Sequence, residues 1–169
     1  MQNMTHLPIK KLTLMGVLLS VSLLLGYIEQ VLSFTMVIPG AKLGLGNLVA
    51  LLLIFSKNYK WQDVFLFQLC RIILCSILFA NLFSFVYSFA GMFFSVFAMC
   101  GAKELFKMEP VATSMIGGVF HNIGQVMVAV LFISKYVILS YLPYLLVLGL
   151  LAGFCMGILS NLLYKRKII

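Results

Sequence analysis

Arg71, His121, Asn122 and Gln125 are the residues of this chain with the most chemistry to offer, and all four lie in apolar runs. The segment Gly117-Gly118-Val119-Phe120-His121-Asn122-Ile123-Gly124-Gln125 falls inside a run from Val111 to Ile133. Flanked by Met115, Ile116, Val126, Met127 and Val128, it predicts the middle of a membrane-spanning helix. Strongly polar side chains there are costly unless they face protein, water or a ligand. Gly117, His121 and Gln125 are spaced i, i+4, i+8 and share one helical face. Gly124 joins that face and lets another backbone come close. A neutral imidazole and two amides can both donate and accept, and a guanidinium donates only. Together they suit a ligand with anionic or strong acceptor character, such as a polar heterocycle or a carboxylate.

The same residue types also glue helices together inside membranes. For His121, Asn122 and Gln125 taken singly, glue and ligand binding weigh evenly. For Arg71 the larger cost of burial favours a ligand role, with a dry cluster of Gln68 and Gln125 around it as the other reading. Asn47, Asn81 and Ser84 lie nearer the outer side and are expected to line the mouth of the site. No catalytic residue is expected. The chain has one aspartate, Asp63, which excludes an aspartate-rich metal site. It has no phosphate-binding Walker loop, no CxxC pair and no nucleophile elbow. His6 and His121 are its only histidines, too few for a typical zinc site. No metal and no cofactor are therefore expected. Cys70, Cys75, Cys100 and Cys155 lie in apolar runs and read as small buried hydrophobes.

These residues need helices to hold them. Of 169 residues, 63% are hydrophobic and 9% charged, and the mean hydropathy is +1.15. A soluble domain of this size cannot hide so much apolar surface, so the lipid bilayer is the expected solvent. The expected fold is all-α, a single integral membrane domain over residues 1–169. Six spans are read at about 12–28, 43–56, 64–79, 85–102, 111–133 and 145–164. The first has a signal-peptide reading as its rival, but the run is long and no clean small-x-small cleavage site follows it. The second is short and is expected to start below the membrane surface. Small residues recur at helical spacing: Gly16, Ser20, Ser22 and Gly26 form two small-xxx-small pairs on span one, Ser84, Ser88, Gly91 and Ser95 line one face of span four, and Gly149, Gly153 and Gly157 form two overlapping GxxxG motifs on span six. The first and last sets suit tight helix packing, within the protein or with a partner.

Charge sets the orientation. With both termini inside, Lys10, Lys11, Lys57, Lys60, Lys103, Lys107, Lys165, Arg166 and Lys167 are cytoplasmic. Only Lys42 and Lys135 of the twelve cations are outside, and Arg71 lies within a span. The formal charge of +8 is thereby a topology signal, and no nucleic-acid partner is expected. At ~1.5 Å rise per residue, Arg71 lies roughly 12 Å in from Asp63 and His121 roughly 15 Å in from Val111, so both sit near the midplane. Glu29 lies further out, with Lys42 as its best-placed partner.

Three ordered segments carry a resemblance: Pro39-Gly40-Ala41-Lys42-Leu43-Gly44-Leu45-Gly46-Asn47, Arg71 to Ser84 ending in Asn81-Leu82-Phe83-Ser84, and the Gly117–Gln125 stretch. The sequence resembles the Gx transporter family, also labelled heptaprenyl diphosphate synthase component I, over nearly its whole length. That family is related to the substrate-binding S components of energy-coupling factor (ECF) vitamin transporters, which are six-helix proteins. The resemblance implies capture of a small molecule from outside, in the cell membrane, beneath the loop joining helices one and two. A transmembrane coupling protein and two ATPase subunits would then drive release inward. The connector from Phe34 to Lys42, with Pro39, Gly40 and Lys42, would be the lid. Gly16, Ser20, Ser22 and Gly26 would let span one slide against the coupling protein, although the AxxxA pattern of S components is absent. The other label implies a membrane accessory subunit of heptaprenyl diphosphate or quinone biosynthesis.

Overall fold

The computed structural model describes residues 6–33, 44–79, 82–133 and 137–166. They form six helices: α1 (His6–Ser33), α2 (Leu45–Phe55), α3 (Trp61–Phe79), α4 (Leu82–Glu104), α5 (Pro110–Ile133) and α6 (Val137–Lys165). Among the described residues there is no strand. Five helices, all but α2, are long and apolar enough to cross a membrane. The chain is a helical, multi-pass membrane protein. Its many outward-facing Leu, Ile, Val and Phe side chains are the surface that lipid requires.

The short helix is the core. α2 has eleven residues, about 16 Å at ~1.5 Å per residue and only about half of a bilayer's hydrocarbon thickness. Leu48 to Ile54 are all buried, as in a helix surrounded on every side. A buried helix with two ends inside protein leaves backbone groups to satisfy at each. At its N-terminus Gly44 adopts the left-handed region (φ 77), and the Gly44 amide donates to Glu29 Oε1 of α1 at 2.5 Å. At its C-terminus Lys103 Nζ of α4 donates to the Ile54 carbonyl at 2.5 Å. The carboxylate faces the positive end of the helix dipole and the ammonium the negative end, so both contacts are favourable.

The other helices start and pack for local reasons. The first turn of α3 holds Asp63, whose Oδ2 accepts from the Lys60 amide (2.8 Å) and from Lys11 Nζ (2.6 Å), tying α1 to α3. α5 opens on Pro110, where a missing amide hydrogen costs nothing. In the α4–α5 turn Lys107 takes φ 50 and the Met108 amide reaches back to Ala102 O at 3.1 Å. α5 packs most extensively against α6 and α4. A Cβ at Gly153 would lie 2.6 Å from Ser114 O, and one at Gly157 2.6 Å from Val111 Cα. Gly118 and Gly149 meet backbone to backbone. Only glycine permits this spacing. Phe65 of α3 meets Phe93 and Phe97 of α4, with ring centroids 6.4 and 6.1 Å apart.

The structure refines the sequence reading in three places. The helices overrun the apolar runs, and α6 begins at Val137 rather than near 145, so Tyr141, Pro143 and Tyr144 lie inside it. Pro143 forfeits one intrahelical hydrogen bond, less than the unsatisfied groups that ending a helix there would leave. The small residues of α1 divide between two faces. Gly16 and Ser20 are exposed, with nothing within 4 Å of a Cβ at Gly16, whereas Ser22 is buried and donates to Gly46 O at 3.0 Å. Residues two apart on a helix point about 200° apart, so Ser20 and Ser22 cannot share a face. Finally, Cys155 is exposed rather than buried, on the outer side of α6.

Candidate functional site

A cavity of about 340 Å³ lies within the bundle, lined by residues from all six helices. Its volume falls at the lower end of small-molecule sites. α2 and α3 supply its charged wall. Arg71 Nη1 donates to Asn47 Oδ1 (3.0 Å) and Gln68 Oε1 (3.1 Å), and Gln68 Nε2 donates to the same Asn47 oxygen (3.0 Å). Gln68 is therefore an amide partner of Arg71, as in the dry-cluster reading. Arg71 Nε is buried and has no hydrogen-bond partner among the described residues. The guanidinium fills the space in which a Gly46 side chain would sit. This puts a cation beside the positive end of α2, an arrangement that attracts an anion.

The other walls are softer. From α4 come Ser84, Ser88, Met92, Ser95 and Met99, the small face seen in the sequence extended by two methionines. From α5 come Ser114, Gly117, Gly118, His121 and Asn122, and from α6 Gly149, Ala152, Gly153 and Met156. The His121 imidazole packs over Gly91, where a Cβ would lie 2.7 Å from its Cε1. Gly124 brings α5 against α4, 2.6 Å from Cβ to Ala90 O, so the close backbone approach expected there is present. Asn122 lines the cavity and also donates from Nδ2 to Leu145 O of α6 at 2.5 Å, so it serves as helix glue as well. Gln125, one turn further on, is half-buried and does not line the cavity.

Arg71, His121, Asn122, Asn47 and Ser84 thus meet around one cavity. Gly26 of α1 and Gly149 and Gly153 of α6, read as packing residues, line it too. Asn81, Pro39, Gly40, Lys42 and the rest of the 34–43 connector lie outside the described residues. Glu29, read from the sequence as lying further out with Lys42 for its partner, was not placed in the site. It is buried at 6% exposure and lines the cavity with Arg71. The two are not ion-paired: Lys11–Asp63 is the only salt bridge among the described residues. Gly26, three residues before Glu29, lies 3.8 Å from Arg71 Nη2 at its Cβ position, and that spacing was the available signal. Cys75 also lines the cavity, 3.7 Å from the same point. Among the described residues no three His, Cys, Asp or Glu side chains come together.

Fold and site together define a helical membrane protein that encloses a mixed polar and apolar cavity with a buried arginine in its wall. The family model described as heptaprenyl diphosphate synthase component I matches residues 18–163, and the chain belongs to that family. No curated protein matches it, and no solved structure does.

Proposed function

We propose that this protein is the substrate-binding membrane component of an ECF-type uptake transporter for a small molecule, a vitamin or a precursor. The observation that carries the reading is the cavity itself. A buried guanidinium, half satisfied by Asn47 and Gln68, projects into a space of about 340 Å³ between helices that face lipid. A purely structural arginine has no use for such a space, whereas an anionic or strong acceptor group entering it would complete the arginine's hydrogen bonding. In this reading all six helices span or enter the cell membrane, both termini are cytoplasmic, and the 34–42 connector closes over the cavity from outside. The protein is not itself an enzyme. A transmembrane coupling protein and ATPase subunits supply energy, and the exposed Gly16–Ser20 face of α1 is where a coupling helix would lie.

The experiment is Arg71→Gln in the intact transporter. The protein stays folded, while uptake and retention of a small molecule by the purified protein, read by native mass spectrometry, fall at least about tenfold, the loss of about 1.4 kcal/mol or more. Normal retention in a folded Arg71→Gln variant would make Arg71 structural and move the site elsewhere. The family's name favours a second reading, a membrane accessory subunit of heptaprenyl diphosphate or quinone biosynthesis. Co-purification of a prenyl-transferring subunit, with synthase activity that depends on this chain, would select it.

A further inference from the structure

Two opposite charges line the same cavity without touching each other. Arg71 enters from α3 and Glu29 from the C-terminal part of α1. The Glu29 carboxylate is held by the Gly44 amide, and Gly46, two residues on, lies against the Arg71 guanidinium. The Arg71 guanidinium also lies 3.8 Å from the Cβ position of Gly26, and residues three apart on a helix have side-chain positions ~5–6 Å apart. The two charged groups therefore lie in the same part of the cavity wall. They form no ion pair, since the only salt bridge among the described residues joins Lys11 to Asp63. Arg71 retains an Nε without a partner there.

Taking two charges out of water is expensive, and the expense is recovered only when each meets its complement. A simple anion would complete Arg71 but would lie against the Glu29 carboxylate. A simple cation would have the reverse difficulty with the guanidinium. We propose, resting on the small-molecule-binding reading above, that the substrate carries a paired-charge head: an anionic group on Arg71 and, a few bonds away, a cationic group on Glu29. A carboxylate and an ammonium on one carbon, as in an α-amino acid, make such a head. Met92, Met99, Ala152 and Met156, which also line the cavity, suit a slim and largely apolar body attached to that head.

Cys75, in the cavity wall, reports occupancy. In a variant with Cys70, Cys100 and Cys155 replaced by serine, in lipid nanodiscs, alkylation of Cys75 by N-ethylmaleimide is timed with three probe mixtures. These are the common amino acids, the matched carboxylic acids lacking the amine, and the matched amines lacking the carboxylate. The amino-acid mixture is expected to slow alkylation about tenfold when a binding component exceeds its Kd by ~tenfold, and the other two not to. Glu29→Gln keeps an acceptor for the Gly44 amide but removes the charge, and is expected to let the carboxylic acids protect as well as the amino acids. Equal protection by the carboxylic acids before that substitution would overturn the paired-charge head while leaving a small-molecule binder. Native mass spectrometry of the unmutated protein with the same mixtures gives the same comparison should the serine variant fold poorly. No mass shift and no protection with any mixture would overturn the paired-charge head, while the small-molecule reading stands or falls on the Arg71→Gln retention experiment.

Discussion

The guanidinium of Arg71 occupies the space that a side chain at Gly46 would need. Glycine at that position is therefore a packing requirement of the arginine, and the arginine's place is set by a helix that carries no charge of its own. Gly46→Ala is expected to push the guanidinium off Asn47 and Gln68. Thermal unfolding should fall by an amount equivalent to about 1–3 kcal/mol, and ligand retention should drop with it. Unchanged stability and retention would mean that Arg71 moves aside freely.

The ends of α2 are held by charges from other helices. Lys103→Met removes the donor to the Ile54 carbonyl and the ammonium at the negative end of the dipole. It is expected to cost about 1–3 kcal/mol in detergent or nanodisc unfolding. Glu29→Ala acts at the opposite end. The two losses should add within about 0.5 kcal/mol, because the sites share no partner. Strong coupling between them would show that α2 moves as a unit.

Small residues are expected to divide by what they touch. Gly118→Val drives a side chain into the backbone of Gly149, which neither helix can yield without separating, so the variant should aggregate or lose several kcal/mol, about 3 or more. At Gly16 a Cβ would meet nothing within 4 Å, and Gly16→Leu should fold normally. Co-purification with coupling subunits is its readout. Full assembly of Gly16→Leu would remove that face of α1 from the partner interface.

Pro39 and Gly40 lie in the connector proposed as the lid. Gly40→Val is expected to weaken ligand binding about tenfold, or ~1.4 kcal/mol, while leaving the bundle folded. Equal affinity in the folded variant counts against a lid.

The topology proposal is checked by single cysteines at Asn3, Lys135 and Ile169, reacted with a membrane-impermeant maleimide from each side. Lys135→Cys should react from outside only and the two terminal positions from inside only. Reaction of Lys135→Cys from the cytoplasmic side alone would overturn the arrangement with both termini inside.

Several features are local properties and could be read along the chain. Apolar runs predict where helices lie, because bilayer-scale hydropathy is summed over neighbours in sequence. The cost of burying Arg71 and His121 in such runs marks them as special for the same reason, and Gly117, His121 and Gly124 fall on one side of α5 by helical period alone. What lies opposite each residue is a different kind of fact. Glu29 looked like the end of span one, with Lys42 for a partner. Only packing shows its carboxylate on the Gly44 amide and in the cavity of Arg71. Ser20 and Ser22 are both small residues on one helix, yet one is exposed and the other buried against α2. Lys103 read as a topology charge, and it also closes the C-terminus of α2 across 49 residues of chain. Hydropathy and period are set by adjacent residues, whereas charge balance inside a membrane depends on which helices come together. That was decided by glycine contacts such as Gly118–Gly149, where two backbones approach with no side chain between them.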